Sequence, residues 1–342
     1  MKYQGQSLFL DETSLREPSN SFSLDDLPNP EPKHPCRLEK TSSLLERLWR
    51  VALRDVESNI IHQEGETYFG AGAKFGAFLY TRDIAFSGIL GLNRLYPDII
   101  RSSLIRTREL RLRAGFCVPR GHAVRELDAP WSDDLELETF LKTFGGTHGI
   151  SRRSDDIVWL WCAHDLVRKT NREKDWRWLF TYGRRCFEEL YSYFRDPSDG
   201  LYRGQAAFID IHWPNRKTTG YPDNWQLADC LLIKALSTNC LYVLGLAAMA
   251  EAAQRLGQDP KPWKRQAEEL RAAIRDNFLA ADGRYRYYRD RQGRLSERRE
   301  ALGTALLFPA GVVSRDEATA CVLDYPVTEQ GAPLFVPFFD GD

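Results

Sequence analysis

Two kinds of helical segment alternate along this sequence. Residues 157–163 (IVWLWCA) and 240–250 (CLYVLGLAAMA) are apolar on nearly every side, a pattern typical of helices that are buried on both faces. The later segment KPWKRQAEELRAAIRDNFLA instead carries Trp263, Leu270 and Phe278 on one stripe, with charged residues opposite, which predicts a helix with one face in water. The chain therefore supplies both inner and outer helices of a layered helical fold.

The alternation repeats in hairpins roughly 40 to 50 residues apart, a spacing typical of stacked helix pairs. An inner ring of helices wrapped by an outer ring produces this pattern, so we predict an all-α fold, an α/α barrel or toroid. A solenoid of helix pairs is the alternative, but it requires similar loops at each turn. The long loops near 115–153, 196–228 and 280–300 are unequal.

In a toroid these long loops would meet at one rim and could form a pocket there. Two of them contain turn signals, in the segments DPSDGLYRG and AADGRYRYYRDRQGRLSER. Such signals predict small β-hairpins within the loops.

Composition predicts two segments in the chain and excludes some classes of binding partner. Residues 1–40 are rich in Pro, Ser and Asp and predict an extended or disordered arm, and residues 41–342 are predicted to form the α/α-barrel domain. The formal net charge of −1 predicts no general affinity for nucleic acid or for an anionic membrane. The sequence has no run of about eighteen apolar residues, so we expect no membrane span. The start MKYQGQSLFLDETSL resembles no signal peptide, which favours a cytoplasmic location, and no pattern indicates an oligomeric state.

Metal and cofactor chemistry is not predicted. The seven cysteines include no CxxC pair, and the histidines show no metal-ligand spacing, so free thiols and ordinary hydrogen-bonding histidines are expected. The acidic stretch WSDDLELETF, residues 131–140, is faintly similar to the aspartate clusters of all-helical terpenoid enzymes. Its spacing is loose and no second metal motif accompanies it, so a solvated loop is the preferred interpretation.

A single carboxylate, Asp210, lies among large apolar side chains in the stretch LYRGQAAFIDIHWPN. Apolar surroundings disfavour the ionised form of a carboxyl group, which raises its pKa and suits it to general acid catalysis near neutral pH. Trp213 offers a flat face on which a sugar ring could stack. Three further residues offer hydrogen-bond donors for sugar hydroxyl groups: Arg203, Gln205 and Asn215. The alternative is a short β-strand whose alternation points Asp210 outward.

Two other apolar helices are predicted to open on charged residues. The stretch RRSDDIVWLW places Asp155 at the head of one, and YTRDIAFSG places Arg82 and Asp83 at the head of another. Helix capping and the helix dipole explain acidic residues at these positions. Acidic residues that open fully buried helices would also lie at the mouth of a barrel, so both interpretations stay open.

Four stretches, in this order, resemble the six-hairpin glycosidase superfamily, whose members are (α/α)6-barrel enzymes that act on glycosides. They are TRDIAFSGILGLNRLYPD, RRSDDIVWLWCAHDLVRKTNREKDW, GLYRGQAAFIDIHWPN and KALSTNCLYVLGLAAMAEAAQRLG. The second is similar to the SDDxxWL helix start of the cellobiose-phosphorylase group. The third looks like the segment that carries the catalytic aspartic acid in the processing α-glucosidase and mannosylglycerate hydrolase group. The resemblance covers residues from about 66 to 340.

The resemblance implies a glycoside hydrolase that inverts configuration and acts on a small glycoside or oligosaccharide. It implies that Asp210 is the general acid and that three residues lie near the sugar-binding subsite: Arg82, Asp83 and Asp155. An inverting enzyme needs a second carboxylate, about 6.5–9.5 Å from the first, to activate water. In relatives this base comes from the last hairpins, and two residues of this chain are candidates for it: Glu300 and Glu329.

The sequence shows fewer helical segments than a complete six-hairpin barrel has. This predicts that the last hairpin is absent and that the domain is incomplete at its C-terminus. Two other functions remain open for the same fold. A glycoside phosphorylase would use phosphate as the nucleophile and need no protein base. A non-catalytic carbohydrate-binding toroid would use Asp210 only for hydrogen bonding.

Overall fold

The computed structural model describes residues 28–63, 65–70, 72, 79–113, 153–191, 194–207, 209, 220–222, 224–225, 227–329 and 331–339. The helices of this part are α1 (Ser43–Ser58), α2 (Thr81–Ser87), α3 (Asn93–Leu95), α4 (Pro97–Arg113), α5 (Arg153–Thr170), α6 (Glu173–Arg185), α7 (Leu227–Leu232), α8 (Leu236–Arg255), α9 (Lys261–Phe278), α10 (Ala301–Leu306) and α11 (Arg315–Leu323). Two π-helical segments continue them: Gly88–Leu92 joins α2 to α3, and Cys186–Tyr191 extends α6.

The strands of the described ranges are short and form three antiparallel pairs. They are β1 (Ile60–Gln63) with β2 (Glu66–Phe69), β3 (Lys234–Ala235) with β4 (Tyr288–Arg289), and β5 (Arg299–Glu300) with β6 (Phe335–Val336). Single bridges close the two hairpins predicted in the loops, at Arg195–Tyr202 and at Leu279–Tyr285. The β1–β2 pair and the single bridges are local, whereas β3–β4 and β5–β6 join segments that are far apart in the sequence.

The buried and half-exposed helices are the ones that the sequence pattern predicts. The side chains of α8 are buried along almost its whole length, and α5 is buried from Ser154 to Trp159. By contrast, α6 and α9 bury one stripe and expose the other: in α9 the buried stripe includes Trp263, Leu270 and Phe278. The predicted fold class, an all-α α/α toroid with small β-hairpins in its loops, is confirmed.

By length and composition α8 could cross a membrane, but 89% of its apolar window is buried inside the protein. Its neighbours explain why it is apolar all round. It packs against the inner helix α5 on one side and α10 on another, and against the outer helices α6 and α9. We therefore assign α8 as the central core helix of the described part.

Glycine allows the closest of these contacts. A Cβ atom built on Gly183 of α6 would lie 2.2 Å from Met249 Sδ, and one built on Gly245 of α8 would lie 3.1 Å from Phe187 Cζ. Real side chains do not tolerate the first distance, so α6 and α8 approach each other only because no side chain stands between them.

The inner helices begin at one end of the fold. They are α2, α5, α8 and α10, and each contacts the next. Short connections join α5 to α6 and α8 to α9, so the outer helix carries the chain back before the next inner helix starts. Here the rim denotes the first turns of these four inner helices together with the segments that lead into them. It is the end of the ring at which the sequence predicts a pocket.

The described part of the predicted arm packs on the helical domain. The backbone N–H groups of Lys33 and His34 donate to the carboxylate of Glu57 in α1, at 2.9 and 2.7 Å, and His34 Nε2 lies 2.8 Å from the carbonyl oxygen of Leu95. The boundary at residue 40 and the absence of a last hairpin stay predictions.

Candidate functional site

Polar side chains open the inner helices, although the rest of each helix is apolar. In α2 and α5 these are Arg82 and Asp155, and in α8 they are Ser237, Thr238 and Asn239, all of them buried. The first turn of a helix has free N–H groups and a partial positive charge, so it favours polar and acidic side chains. Three such first turns, with Glu300 directly before α10, give the rim a polar surface on an apolar core.

Arg82 and Asp155 form a buried ion pair across the rim. Arg82 Nε lies 3.1 Å from Asp155 Oδ1, and the two side chains are 6% and 10% exposed. The neighbouring acid, Asp156, accepts a hydrogen bond of 2.8 Å from the Tyr182 hydroxyl of α6. The structure thus joins two of the three residues predicted near the sugar subsite. The third, Asp83, is exposed and lines a separate cavity of about 250 Å³.

The polar residues of α8 hold the segment 201–209, which leads to Asp210. Ser237 Oγ accepts a hydrogen bond from the Ala207 N–H at 3.1 Å, and Thr238 Oγ1 donates to the Gln205 carbonyl at 2.5 Å. Asn239 accepts from the Tyr202 N–H at 2.7 Å and donates to the Tyr202 carbonyl at 3.0 Å. Three consecutive side chains therefore fix this segment to the start of the central helix.

A hydrogen bond within the segment also fixes its C-terminal end. The Gln205 amide donates to the carbonyl of Ile209 at 2.9 Å, and both residues are buried. A Cβ atom built on Gly220 would lie 3.0 Å from Ile209 Cγ2, so the residues on either side of 210–219 meet at one point. The predicted site residues within that stretch lie outside the described residues: Asp210, Trp213 and Asn215.

A buried ion cluster anchors the other end of the segment. Lys234 Nζ lies 2.6 Å from carboxyl oxygens of both Asp196 and Asp199. Burial raises the pKa of Asp196, but hydrogen bonds from Lys234 and Ser198 outweigh it and hold the pKa well below its usual range. Arg203, predicted as a sugar-binding donor, forms an ion pair with the same Asp196 carboxylate.

Glu300 is the candidate catalytic carboxyl that the structure places at the rim. It precedes α10, is 1% exposed, and lies next to Ser237. Burial raises its pKa to about 8, against the opposing effect of the Ser237 hydroxyl and N–H. Neither carboxyl oxygen makes a hydrogen bond of normal distance and angle. A carboxyl in such surroundings keeps its proton at neutral pH.

Aromatic rings from the loop segments lie near the Glu300 carboxyl group. Tyr287 lies against Phe335 with ring centroids 4.8 Å apart, and Tyr221 lies 6.4 Å from Tyr287. Trp225 is half-buried and stacks on Tyr221 at 6.1 Å. These rings adjoin the point where Ile209 and Gly220 meet, because Phe335 lies against Gly220 as well.

The other candidate base, Glu329, is exposed in a turn that the Thr328 N–H and Gly331 carbonyl close at 2.9 Å. Sequence reasoning did not single out the polar residues of α8 or Lys234. A signal for the first existed in LSTN, three polar residues at the head of the most apolar helix, the same pattern that drew attention to Asp155. For Lys234 the sequence offers no comparable signal, because its partners lie more than thirty residues away.

Solved structures similar to this chain include several carbohydrate enzymes. The GH78 family rhamnosidase of Bacillus sp. GL1 is 14% identical with a TM-score of 0.40, over 50% of this chain and 17% of that chain. A sugar epimerase from a ruminal bacterium is 14% identical with a TM-score of 0.47, over 84% and 72%. Neutral trehalase from Saccharomyces cerevisiae is 12% identical with a TM-score of 0.45, over 77% and 57%.

This chain therefore spans less than two thirds of the rhamnosidase and of the trehalase. No family model matches the sequence, and no curated protein matches it at a significant level. At these identities and TM-scores the likeness to solved structures assigns no activity to this chain.

Proposed function

We propose that this chain is a carbohydrate-active enzyme that hydrolyses glycosidic bonds at the rim, with Asp210 as the general acid. The observation that supports this most is the anchoring of the segment before Asp210. Residues 201–207 and Ile209 are held by α8, by the Lys234 cluster and by Gln205. A general acid must be positioned within hydrogen-bond reach of the leaving oxygen, and a rigid support of this kind serves that need.

The surroundings of the anchored segment suit a sugar. Trp225, half-buried beside the buried Tyr221, offers a flat ring, and the Arg82–Asp155 pair places hydrogen-bonding groups at the same rim. Sites for small polar ligands combine aromatic walls with a few placed polar groups in this way. We propose that a small glycoside or oligosaccharide binds there, with Trp213 and Asn215 among its contacts.

The chemical step requires a proton for the departing sugar oxygen and a nucleophile on the other side of the ring. Asp210 donates the proton, and an inverting enzyme uses a second carboxylate to activate water. Glu300 keeps its proton at neutral pH and has little contact with water, while Glu329 is exposed away from α10. Both remain candidates by sequence, but these properties disfavour each as the base, so we assign only the acid.

A glycoside phosphorylase is the second candidate, and the burial of Glu300, which disfavours it as a water-activating base, favours this reaction. Phosphate brings its own nucleophilic oxygen, so such an enzyme needs the acid and not the base. Phosphate consumption that depends on the sugar separates this reaction from hydrolysis.

The test is a panel of aryl glycosides and disaccharides, assayed with and without phosphate, using wild-type protein and Asp210→Asn. Asparagine keeps the shape of the side chain but cannot donate a carboxyl proton, so we expect kcat to fall by about 10²–10⁴ with sugar binding unchanged. The control is Asp316→Asn, an exposed acid in the first turn of α11, which should leave turnover intact.

Turnover that survives Asp210→Asn would contradict the assignment of the acid. An isomerised sugar without bond cleavage would contradict hydrolysis and point to an epimerase. Sugar binding with no turnover in wild-type protein would favour the non-catalytic toroid. The anomer released, followed by NMR immediately after cleavage, reports whether configuration is inverted.

A further inference from the structure

A cavity of about 360 Å³, here called the outer cavity, lies between the 279–285 hairpin, strand β5 and helix α11. Sites for small molecules have volumes of roughly 300–1,000 Å³. Arg299 and Glu300 are neighbours in β5, so their side chains point to opposite faces. Glu300 lies next to Ser237 at the start of α8, whereas Arg299 lines the outer cavity. None of the described lining residues belongs to the segment that leads to Asp210, so the outer cavity is separate from the proposed catalytic site.

Arg299 gives the outer cavity a buried guanidinium group. Its side chain is 8% exposed, and its Nη1 atom donates to the carbonyl oxygen and to Oδ2 of Asp324, at 3.1 and 2.9 Å. The guanidinium carbon lies 4.8 Å from the centre of the Tyr325 ring. Its Nε atom has no hydrogen-bond partner among the described residues. A guanidinium has five N–H groups, so Arg299 keeps donors that Asp324 does not engage.

The Tyr285 hydroxyl is a further polar group of the lining. Tyr285 is 7% exposed, and its hydroxyl makes no hydrogen bond with any residue that the structure describes. Buried tyrosine hydroxyls usually have a partner. This hydroxyl therefore needs a partner that occupies the cavity.

The charged side chains of the lining are already paired. Arg284 donates to both carboxyl oxygens of Asp324 at 2.8 Å. Asp282 accepts from the Arg286 guanidinium at 2.7 Å, and Glu317 accepts from the N-cap N–H of α11 at 2.6 Å. The two arginines and three acids of the described lining thus present no unpaired charge for an ion to neutralise. They still offer donors and acceptors, because a carboxylate has about four lone-pair sites.

Apolar side chains complete the lining: Leu279, Val313 and Ala320. A neutral sugar ring has C–H groups that pack on apolar surface, and each of its hydroxyl groups can both donate and accept a hydrogen bond. Small-molecule sites combine apolar lining with a few placed polar groups in this way. A neutral sugar therefore suits this mixture of surfaces better than an ion or a wholly apolar ligand.

We propose that the outer cavity is a second, non-catalytic sugar site, which binds one neutral monosaccharide unit. Arg299 and Tyr285 donate to its hydroxyl groups, and Asp324 accepts from them. The proposal goes beyond the proposed function and requires no turnover. A free monosaccharide and the terminal unit of a longer glycan share this chemistry, and the test separates these two sources.

Cys321 reports on the occupation of the outer cavity, because it lines the cavity and its thiol is free and half-buried. The experiment measures how fast iodoacetamide alkylates Cys321 in the full chain, by peptide mass spectrometry. The probes are D-glucose, D-galactose, D-mannose, the trisaccharide maltotriose and inorganic phosphate. We expect a neutral monosaccharide to slow alkylation about threefold once its concentration is twice its Kd. Alkylation of Cys36, a half-buried thiol in the arm beside α1, should not change.

Two substitutions test the assigned contacts. Tyr285→Phe removes only a hydroxyl, so the sugar concentration that gives half protection should rise about threefold to tenfold. Arg299→Lys keeps the charge but loses the planar fork of donors, so this concentration should rise at least about threefold. Tyr96→Phe is the matched control, since it removes a tyrosine hydroxyl that contacts Glu57 at 3.3 Å and should leave protection of Cys321 unchanged.

The outcomes divide as follows. Protection by monosaccharides alone supports a site for free sugar, and protection by maltotriose as well supports a site for the end of a glycan. Protection by phosphate and by no sugar would overturn the assigned ligand class. No protection by any probe would leave water as the occupant and overturn the proposal. Equal half-protecting concentrations in wild-type protein and Tyr285→Phe would place the sugar elsewhere.

Asp210→Asn separates this site from the proposed catalytic site. Protection of Cys321 should be unchanged in this variant, whether or not turnover is lost. Protection without turnover in wild-type protein would support the sugar site while the hydrolase assignment fails. Turnover without protection would reject the sugar site alone. Loss of protection in Asp210→Asn would show that the effect on Cys321 comes from sugar bound at the rim, and would overturn the proposal.

Discussion

Arg82 and Asp155 stand 3.1 Å apart at the first turns of two neighbouring inner helices, with nine-tenths of each side chain buried. The pair links α2 directly to α5 at the rim. Both charges are buried, so each helps to offset the cost of burying the other, and the loss of either removes that contribution. The link therefore fixes the spacing of two helix starts as well as offering groups to a ligand.

The first prediction concerns this ion pair. Asp155→Asn should lower the free energy of unfolding by about 3 kcal/mol, because it removes the buried negative charge that lies 3.1 Å from the Arg82 guanidinium. The measurement is urea unfolding at pH 7. Glu173→Gln is the matched control, since the Arg177–Glu173 pair is 68% exposed on both sides and its loss should cost less than about 1 kcal/mol. Equal changes in the free energy of unfolding would show that the buried pair contributes no more to stability than an exposed pair.

The second prediction concerns pH and Glu300. A carboxyl whose pKa rises from 4.5 to about 8 on folding binds a proton in the folded state over a range where the unfolded state has lost it. Stability should therefore be full below pH 4.5 and fall as pH rises towards 8. Glu300→Gln lacks this loss, so it should exceed wild type by about 4 kcal/mol at pH 8 and match it within about 1 kcal/mol at pH 4.5.

Unfolding curves at six pH values would measure this difference. Glu329→Gln serves as the exposed control and should follow wild type throughout. A difference between Glu300→Gln and wild type that stays constant with pH would argue that packing, and not ionisation, separates them.

The third prediction concerns Asn239, whose amide binds the backbone of Tyr202 on both sides and the Ala235 carbonyl at 2.9 Å. Asn239→Ala removes the side-chain partner of the Tyr202 N–H and carbonyl and one hydrogen bond to the Ala235 carbonyl, so it should cost about 2–4 kcal/mol. It should also raise exchange of the Tyr202 amide. Asn277→Ala, which removes one half-buried contact within α9, should cost less than half as much. A smaller effect at Asn239 than at Asn277 would be inconsistent with its anchoring role.

The fourth prediction concerns the Lys234 cluster in acid. The pKa of Asp196 is depressed in the folded state, so this carboxylate stabilises the fold above its unfolded pKa of 3.8, and that contribution disappears as pH falls below it. Lys234→Met should lower stability at pH 7 and flatten the decline between pH 4 and pH 2. Lys234→Arg keeps the charge and should retain the acid decline. An unchanged acid limb in Lys234→Met would show that Ser198 and Arg203 suffice.

Much of the architecture follows from residue patterning. The burial of α8 and the half-exposed face of α9 can be read from apolar periodicity, because each helix contacts water or neighbours along its own length. The proximity of Arg82 and Asp155 could be predicted from the family resemblance, because the resemblance placed both residues near one sugar-binding subsite. In each case the determining information is local or repeated along the chain.

The details of the site were less accessible because they depend on long-range contacts. Arg203 carries a donor suited to sugar hydroxyls, yet Asp196 and its buried surroundings engage it in an ion pair. Glu300 is a candidate base by position, but its burial follows from the pairing of β5 with β6, thirty-five residues later. The sequence of a two-residue strand does not indicate which strand it pairs with. The burial of Glu300, and with it the raised pKa, could therefore not be predicted.

The contact between Ile209 and Gly220 has a consequence for how such a protein can diversify. Because Ile209 and Gly220 touch, the distance that the chain between them must bridge is fixed, and residues 211–219 can be exchanged without changing it. Selection for a new sugar could therefore act on residues 211–219 alone, while the segment 201–209 and its hydrogen bonds to α8 stay unchanged. Laboratory libraries confined to 211–219 should yield folded proteins at a far higher rate than libraries of equal size placed in 201–207.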